Sequence, residues 1–326
     1  MKRIIYILKR LREMNFDAMF QTLDRLHEKT GKSKLLMFLD MIQCALRYGA
    51  GYMDYALFEM YRRSHAQRNT YLTRGRNNAL IKLYNDPSLF HLFDNKDEFY
   101  EKFNEFLRRD WLLLDTADEE KIAWFLERNQ MIFAKPTGGS CGRGVEKFTR
   151  EEFPEIRKSL GENMLLESMV VQHPVVSELY PHCINTTRVV TIFKNGKANI
   201  VCAYIRIGND GKHVDIFNSG GMTAPVDLAT GTVKAPAVDK KKDVYKVHPM
   251  PGHPIEGFKL PDWEQALEMV AAAASKVPEM AYIGWDVAFS ENGPLIIEGN
   301  NFPGHDIYQL PAHTPDGFGV YPQFQV

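Results

Sequence analysis

The chain has 326 residues, of which 44% are hydrophobic, 25% charged and 12% aromatic, with a formal net charge of −1. This excludes a disordered chain, a collagen and a coiled-coil rod, and leaves a globular protein of about two domains. Its apolar runs, such as residues 4–8 and 270–274, fall far short of the roughly 18 residues of a spanning helix, and Lys9, Arg10 and Arg12 interrupt what would be a secretory signal. A cytoplasmic location is the expectation. Cys44, Cys141, Cys183 and Cys202 form no C-x-x-C pair, which fits free thiols in a reducing compartment.

The charge is unevenly spread. Residues 1–80 hold fifteen Lys/Arg against seven Asp/Glu, and the rest hold 25 against 34. Within the basic part Ile4, Ile5, Leu8 and Leu11 recur near the helical period, as do Leu35, Leu36, Leu39, Ile42 and Leu46. Gly31 and residues 49–51 punctuate these helices. The Leu and Ile stripes are expected to pack on the remainder of the protein. The basic residues form either a solvated face or a surface for an anionic membrane or an acidic partner.

Strands begin near residue 130. Residues 131–134 form a short apolar run, and residues 189–193 and 198–205 flank Lys194-Asn195-Gly196-Lys197, a type I′ hairpin signal. Residues 228–257, rich in proline and lysine, read as a long irregular loop. A helix is expected from Asp262, which has capping-box spacing to Gln265, to a point before Pro278.

Three groups of residues point to chemistry. In the first, Lys135 closes an apolar run, and a loop holding Gly138, Gly139, Ser140, Cys141, Gly142 and Gly144 follows. Such a loop brings backbone N–H groups close to phosphate oxygens, although the pattern is neither a Walker A loop nor a dinucleotide fingerprint. In the second, residues 282–290 and 294–301 read as a hairpin whose three-residue loop ends at Gly293. That register sets Asp286 opposite Glu298, with Asn300 on the same face. Two facing carboxylates and an amide call for a cation, and oxygen-only donors suit Mg²⁺. A two-residue loop would put the carboxylates on opposite faces. In the third, Asn185 and Arg188 stand at a strand start, where the guanidinium fork suits phosphate or carboxylate, and Glu167 follows an apolar strand.

Taken in order, Lys96, Lys135 with its glycine-rich loop, Glu167, Asp286 and Glu298-x-Asn300 resemble the ATP-grasp superfamily, in which two α+β subdomains close on Mg-ATP. The branch it looks most like is the sugar-transfer-associated one, related to glutamate ligases, through Gln172-His173-Pro174, Asn185-Thr186-x-Arg188, Gly220-Gly221 and Glu298-Gly299-Asn300 with Pro303-Gly304 following. The resemblance implies an α+β ATP-grasp domain over residues 81–326 behind a basic helical region over residues 1–80. It implies that Lys96, Lys135 and the loop with Gly138, Gly139, Ser140, Gly142 and Gly144 meet ATP phosphates, with Glu167 in the nucleotide pocket. Ser168 and Val170 would contact adenine through their backbones, and Gln172 or His173 would reach the ribose. Asp286, Glu298 and Asn300 would hold Mg²⁺, with Mn²⁺ as a substitute. Arg188, Lys135 and Asn185 would serve the reaction. The family's usual ribose acid after Glu167 is replaced here by Pro174. The implied activity is carboxylate activation by ATP followed by capture with an amine or another nucleophile. The alternatives are a kinase acting on a small-molecule hydroxyl and a non-catalytic nucleotide-binding protein. No nucleic-acid partner is expected.

Overall fold

A computed structural model describes residues 15–138, 144–211, 217 and 220–326. Gly139, Ser140, Cys141, Gly142 and Arg143 of the glycine-rich loop lie outside the described residues, as does the stripe from Ile4 to Leu11. No described helix is long and apolar enough to cross a membrane.

The chain divides into two compact units. One comprises the residues up to Ala79 together with His305–Pro322, and the other comprises Leu80–Gly304 with Gln323–Val326. The first unit is helical. Its Phe16–Thr30 helix starts where the Asn15 side chain accepts the Ala18 N–H at 2.9 Å, and it ends at Gly31 with φ 68°. The Lys34–Tyr48 helix ends likewise at Gly49, with φ 67°, a conformation that costs glycine no Cβ clash. The face that packs differs from the one expected. Met37, Met41, Cys44 and Tyr48 enter the core with Met19, Leu23 and Leu26, while Leu35, Leu36, Leu39, Ile42 and Leu46 are exposed. Residues two apart lie on opposite sides of a helix, so two apolar stripes competed and the methionine stripe is the buried one.

The C-terminal segment joins this helical unit. Gln309 accepts the Leu72 N–H at 3.0 Å and donates to the Leu72 carbonyl at 2.7 Å, and His305 Nε2 lies 2.9 Å from Asp54 Oδ1.

The second unit holds two antiparallel sheets. The smaller contains β1 (Trp111–Leu113), β2 (Met131–Pro136), β3 (Glu146–Thr149) and β4 (Met164–Ser168) in the order β1-β4-β2-β3. Ile132, Ala134 and Leu166 from β2 and β4 pack on Ile122 and Phe125, so strand alternation sends Lys135 and Glu167 to the opposite face. The larger sheet contains β5 (Thr187–Lys194), β6 (Lys197–Ile207), β7 (Met222–Val226), β8 (Ala237–Asp239), β9 (Val244–Tyr245), β10 (Tyr282–Ser290) and β11 (Gly293–Asn300). Their order is β11-β10-β5-β6-β7-β8-β9. Val189, Ala203, Ile205, Trp285 and Val287 line its core face, with Ala266, Val270 and Ala273 of the Trp263–Ser275 helix in the same cluster.

That helix ends before Pro278 as expected, but its start is not a capping box. Asp262 adopts φ 47° and its side chain caps nothing. Residues 228–257 are also less irregular than expected, since they contain β8 and β9. The tight turn Asn195-Gly196, with φ 55° and 76°, joins β5 and β6 as a type I′ hairpin.

Candidate functional site

The site is built on the sheet face opposite the Trp263–Ser275 helix. The β10–β11 turn is the tighter of the two possibilities, because Ser290 pairs with Gly293 and only two residues lie between them. Continued without interruption, that register would set Asp286 against Ile297 and turn Glu298 away. A β-bulge past Ile296 inserts one extra residue into β11, and Asp286 pairs with Glu298 after all. The hairpin β5–β6 has the same device. Its turn register would oppose Arg188 to Ala203, but a shift between Val190 and Thr191 brings Tyr204 opposite Arg188. Asp286 pairs with Arg188 on its other side. Tyr204, Arg188, Asp286 and Glu298 therefore form one row across four strands, and Arg206, two residues beyond Tyr204, shares its face.

The charges in this row are paired. Arg188 Nε contacts Asp286 Oδ1, and its Nη2 donates to Oδ2 at 3.1 Å. Arg206 Nη2 donates to the same Oδ2 at 2.7 Å, and Arg206 is braced by Thr186 Oγ1 at 2.6 and 2.9 Å. Asp286 is fully buried. Burial alone would raise its carboxyl, but Arg188 and Arg206 together outweigh burial and hold it below the usual carboxylate range. Glu298 moves the other way: desolvation, and then the Asp286 charge and a hydrogen bond to it, raise its carboxyl. The two facing carboxyls thus shift in opposite directions, as two acids sharing one site do. Asn300 Nδ2 reaches the Gly284 carbonyl at 3.3 Å and Glu298 Oε1 at 3.5 Å, so the expected metal set of Asp286, Glu298 and Asn300 is contiguous. Among the described residues no cluster of three His, Cys, Asp or Glu side chains is placed for a metal. The third donor here is an amide.

Lys135 and Glu167 meet on the small sheet. Lys135 Nζ lies 2.5 Å from Glu167 Oε1, Arg109 Nε 3.1 Å from Oε2, and Tyr100 Oη donates to Oε2 at 2.5 Å. Burial would raise Glu167, but Arg109 and Lys135 outweigh it and keep the carboxyl low. In turn Glu167 and Tyr100 outweigh the desolvation of Lys135 and keep its ammonium charged. Arg109 also donates to the Ile297 carbonyl at 3.2 Å, which ties the small sheet to the bulge in β11. Lys96 opens the Lys96–Leu107 helix, and its N–H donates to the Thr137 carbonyl at 3.0 Å. Burial and the neighbouring Lys135 lower its ammonium below the usual lysine range, while Glu298 and Glu167 pull against them. Lys96, Lys135, Glu167, Asp286, Glu298 and Asn300 are thus gathered. Gly138 is the last residue described before the loop, and Gly144 resumes the chain with φ 72° beside the Pro136 ring.

Three expected contacts need correction. The Asn185 amide is committed: Oδ1 accepts the Gly208 N–H at 3.0 Å, and Nδ2 donates to the Tyr180 carbonyl at 2.7 Å and to Gln172 Oε1 at 3.1 Å. Asn185 is buried and braces the loop before β5, so it is no catalytic group. His173 caps the Pro174–Leu179 helix by accepting the Val175 N–H at 3.2 Å, and Gln172 is occupied by Asn185, Ser177 and Tyr180, so neither is disposed to reach a ribose. The Ser168 N–H goes to the Asp110 carbonyl at 2.9 Å, so of its two backbone groups the carbonyl is the one a contact to adenine would use. Ser168 and Val170 both line a recess of about 210 Å³, together with Arg108, Asp110, Asn292 and Leu295. A larger recess of about 440 Å³ lies between Trp111 and Trp124, and neither recess is lined by Lys96, Lys135, Asp286 or Glu298.

Sequence reasoning missed Arg206 and Arg109. Arg206 was legible only through the register of β5 and β6, which the bulge conceals. Arg109, in Arg108-Arg109-Asp110 ahead of β1, resembled any surface basic pair.

A family model described as sugar-transfer associated ATP-grasp matches residues 155–315. Over that region the chain is similar to the sugar-transfer associated ATP-grasp family, and the described structure is the expected α+β one behind a helical N-terminal region. The match spans Arg188, Asp286, Glu298 and Asn300 but not Lys96 or Lys135. No curated protein matches the chain. Among solved structures, the ATP-grasp ligase PsnB complexed with minimal precursor is 13% identical, with 68% of this chain and 56% of that one covered and a TM-score of 0.40. The D-alanyl-alanine synthetase A from Vibrio cholerae is 16% identical, with 73% and 64% covered and a TM-score of 0.44. For purK, N5-carboxyaminoimidazole ribonucleotide synthetase in its ADP complex, the values are 11%, 67%, 47% and 0.42. The chain spans less than two thirds of the length of each.

Proposed function

We propose that the chain is an ATP- and Mg²⁺-dependent ligase that activates a substrate carboxylate as an acyl phosphate and couples it to an amine or another nucleophile. The row of Arg188, Asp286 and Glu298, facing the cations Lys96 and Lys135, carries this reading. It combines hard oxygen donors with fixed positive charge, which phosphoryl transfer uses in place of covalent catalysis. The residues fit Mg²⁺. Asp286, Glu298 and Asn300 offer oxygen donors, and of the roughly four acceptor sites of a carboxylate Asp286 gives three to guanidinium bonds and one to Glu298, so Mg²⁺ would take the place of the Glu298 hydrogen bond. Bound there with ATP, Mg²⁺ would neutralise phosphate charge and fix the phosphate oxygens. Lys135, kept charged by Glu167, and Lys96 would meet the remaining phosphate charge. Arg188 has the fork to hold the substrate carboxylate or the transferring phosphoryl group in line, while Arg206 keeps Asp286 paired when Arg188 turns to the substrate.

The test follows oxygen. With a candidate acid labelled with ¹⁸O in its carboxylate, the ligase reading requires label in inorganic phosphate, stoichiometric with ADP and coupled product. Unlabelled phosphate would instead report hydrolysis of ATP by water. A stable phosphorylated product with no free phosphate would make the protein a kinase acting on a hydroxyl.

A further inference from the structure

Glu298 faces Asp286 only because Ile297 is an extra residue in β11. Val287 pairs with Ile296 and Asp286 with Glu298, so Ile297 has no partner in β10. β11 is also an edge strand of the larger sheet, and no strand lies on its other side to bond the bulge. A bulged residue takes its hydrogen bonds from outside the ladder. Arg109 supplies one here, donating from Nη2 to the Ile297 carbonyl at 3.2 Å.

The Arg108-Arg109 pair lies where the Lys96–Leu107 helix gives way to β1, and Arg108 takes the left-handed conformation there, with φ 45°. Arg108 Nη1 donates to the Asn292 carbonyl in the β10–β11 turn at 2.9 Å, whereas the Arg109 side chain is only 3% exposed. Two consecutive arginines therefore hold β11, one at its turn and one at its bulge. The Arg109 guanidinium is anchored on the small sheet as well. Its Nε lies 3.1 Å from Glu167 Oε2, its Nη2 also contacts Tyr100 Oη, and it sits 5.0 Å from the centroid of the Tyr100 ring. Burial would lower its pKa, but Glu167, then Tyr100 and Glu298, outweigh burial and keep the guanidinium charged. One buried cation thus serves both the acid that pairs with Lys135 and the backbone that presents Glu298. A planar fork can reach two such partners at once, and the single ammonium of a lysine is poorly suited to it.

We propose that Arg109 is a positioning residue for the metal site: its bond to the Ile297 carbonyl fixes the bulge that sets Glu298 beside Asp286, and its pairing with Glu167 ties that bulge to β4. The consequence for Mg²⁺ rests on the ligase reading, whereas the hold on the bulge is measurable without nucleotide. The test compares the full chain with Arg109→Met and Arg109→Lys by native-state hydrogen exchange and by calorimetry with ATP and Mg²⁺. In the free protein both variants should quicken exchange of the amides of residues 296–300, by about tenfold for the loss of one charge-assisted bond, while β6 and β7 keep their protection. With ATP, the Mg²⁺ concentration for half-maximal binding should rise by about the same factor, and ATP affinity at saturating Mg²⁺ should change less. Arg109→Lys keeps a charge beside Glu167, so it carries the test if Arg109→Met does not fold. Wild-type exchange at the bulge in Arg109→Lys would overturn the proposal, and so would an unchanged Mg²⁺ requirement. Mg²⁺ and ATP affinities that fall together would overturn it too, since they would report a general loosening of the small sheet. If the wild-type chain binds no ATP with Mg²⁺, the ligase reading falls and the role in metal binding falls with it, while the exchange rates still report separately whether Arg109 holds the bulge.

Discussion

Asp286 is the residue on which most of the site converges, since two guanidiniums and the Glu298 carboxyl all address it. Breaking a buried ion pair from one side strands the other charge, at a cost of roughly 3–5 kcal/mol. Asp286→Asn should therefore lower the unfolding free energy from urea titration by an amount in that range and abolish Mg²⁺-dependent ATP binding measured by calorimetry. Lys135→Ala has a milder expectation, because Arg109 still neutralises Glu167. ATP binding should weaken by about tenfold, the order of one charge-assisted phosphate contact, with little loss of stability. His248 gives a pH signature. It is buried, stacks on Tyr180 with centroids 5.3 Å apart, donates from Nε2 to the Gly208 carbonyl at 2.9 Å and accepts the Met250 N–H at 3.2 Å. Burial lowers its pKa below the ordinary imidazole value, although the Gly208 bond opposes it. Below about pH 6.5 the unfolded chain then binds more protons than the folded one, so this contribution to stability is complete above that pH and lost as pH falls. Denaturation midpoints measured at about pH 7.5 and 5.5 should differ less in His248→Gln than in wild type.

The hairpins were legible as elements because Asn195-Gly196 and Gly293 announce tight turns between apolar runs. Their function depends on something the turn residues do not encode. Both strand pairs carry a bulge, between Val190 and Thr191 and past Ile296, and each bulge moves a charged residue by one register step onto the site face. A residue count from the turn therefore misplaces Arg206, and it reaches the Asp286–Glu298 pairing only by assuming a longer loop. The Lys34–Tyr48 helix failed differently: its period was readable, but Leu and Met stripes of equal apolarity left the buried face undecided. Close approach between elements is the other hidden quantity. Gly284 lies next to Trp285 in β10, and a Cβ there would come within 2.9 Å of Arg188 Cδ and 3.3 Å of the Pro303 ring. Gly284→Ala should push the Arg188 side chain off Asp286 while costing the sheet only about 1 kcal/mol. The expected readout is a loss of ligase turnover tenfold or more, with ATP affinity changed less. Equal losses in both would mean that the substitution disturbs the whole β5–β10 pairing rather than the Arg188 arm.

At the scale of the whole molecule, the division after Ala79 falls inside the Arg74–Tyr84 helix, and helices continue to Leu107 before the first strand, so it follows the change in charge along the sequence rather than a change of secondary structure. The return of His305–Pro322 to the helical unit was not visible, because this segment has no periodic stripe and contributes through polar anchors. Gln309 is the main one. It is fully buried, accepts the Leu72 and Val320 N–H groups at 3.0 and 3.2 Å and donates to the Leu72 carbonyl at 2.7 Å. Gln309→Leu keeps most of the side-chain volume but leaves those backbone groups without partners, and each buried unsatisfied group costs about 1–3 kcal/mol. The two units have separate cores, so the loss is expected to stay within the helical one. Native-state hydrogen exchange should quicken in the Lys34–Tyr48 and Tyr52–Leu57 helices, while amides of β5, β10 and β11 keep their protection and Mg²⁺-dependent ATP binding survives. Exchange that quickens equally in both units would show that they unfold as one cooperative body, and the helical unit would then be part of the ATP-grasp fold's own stability.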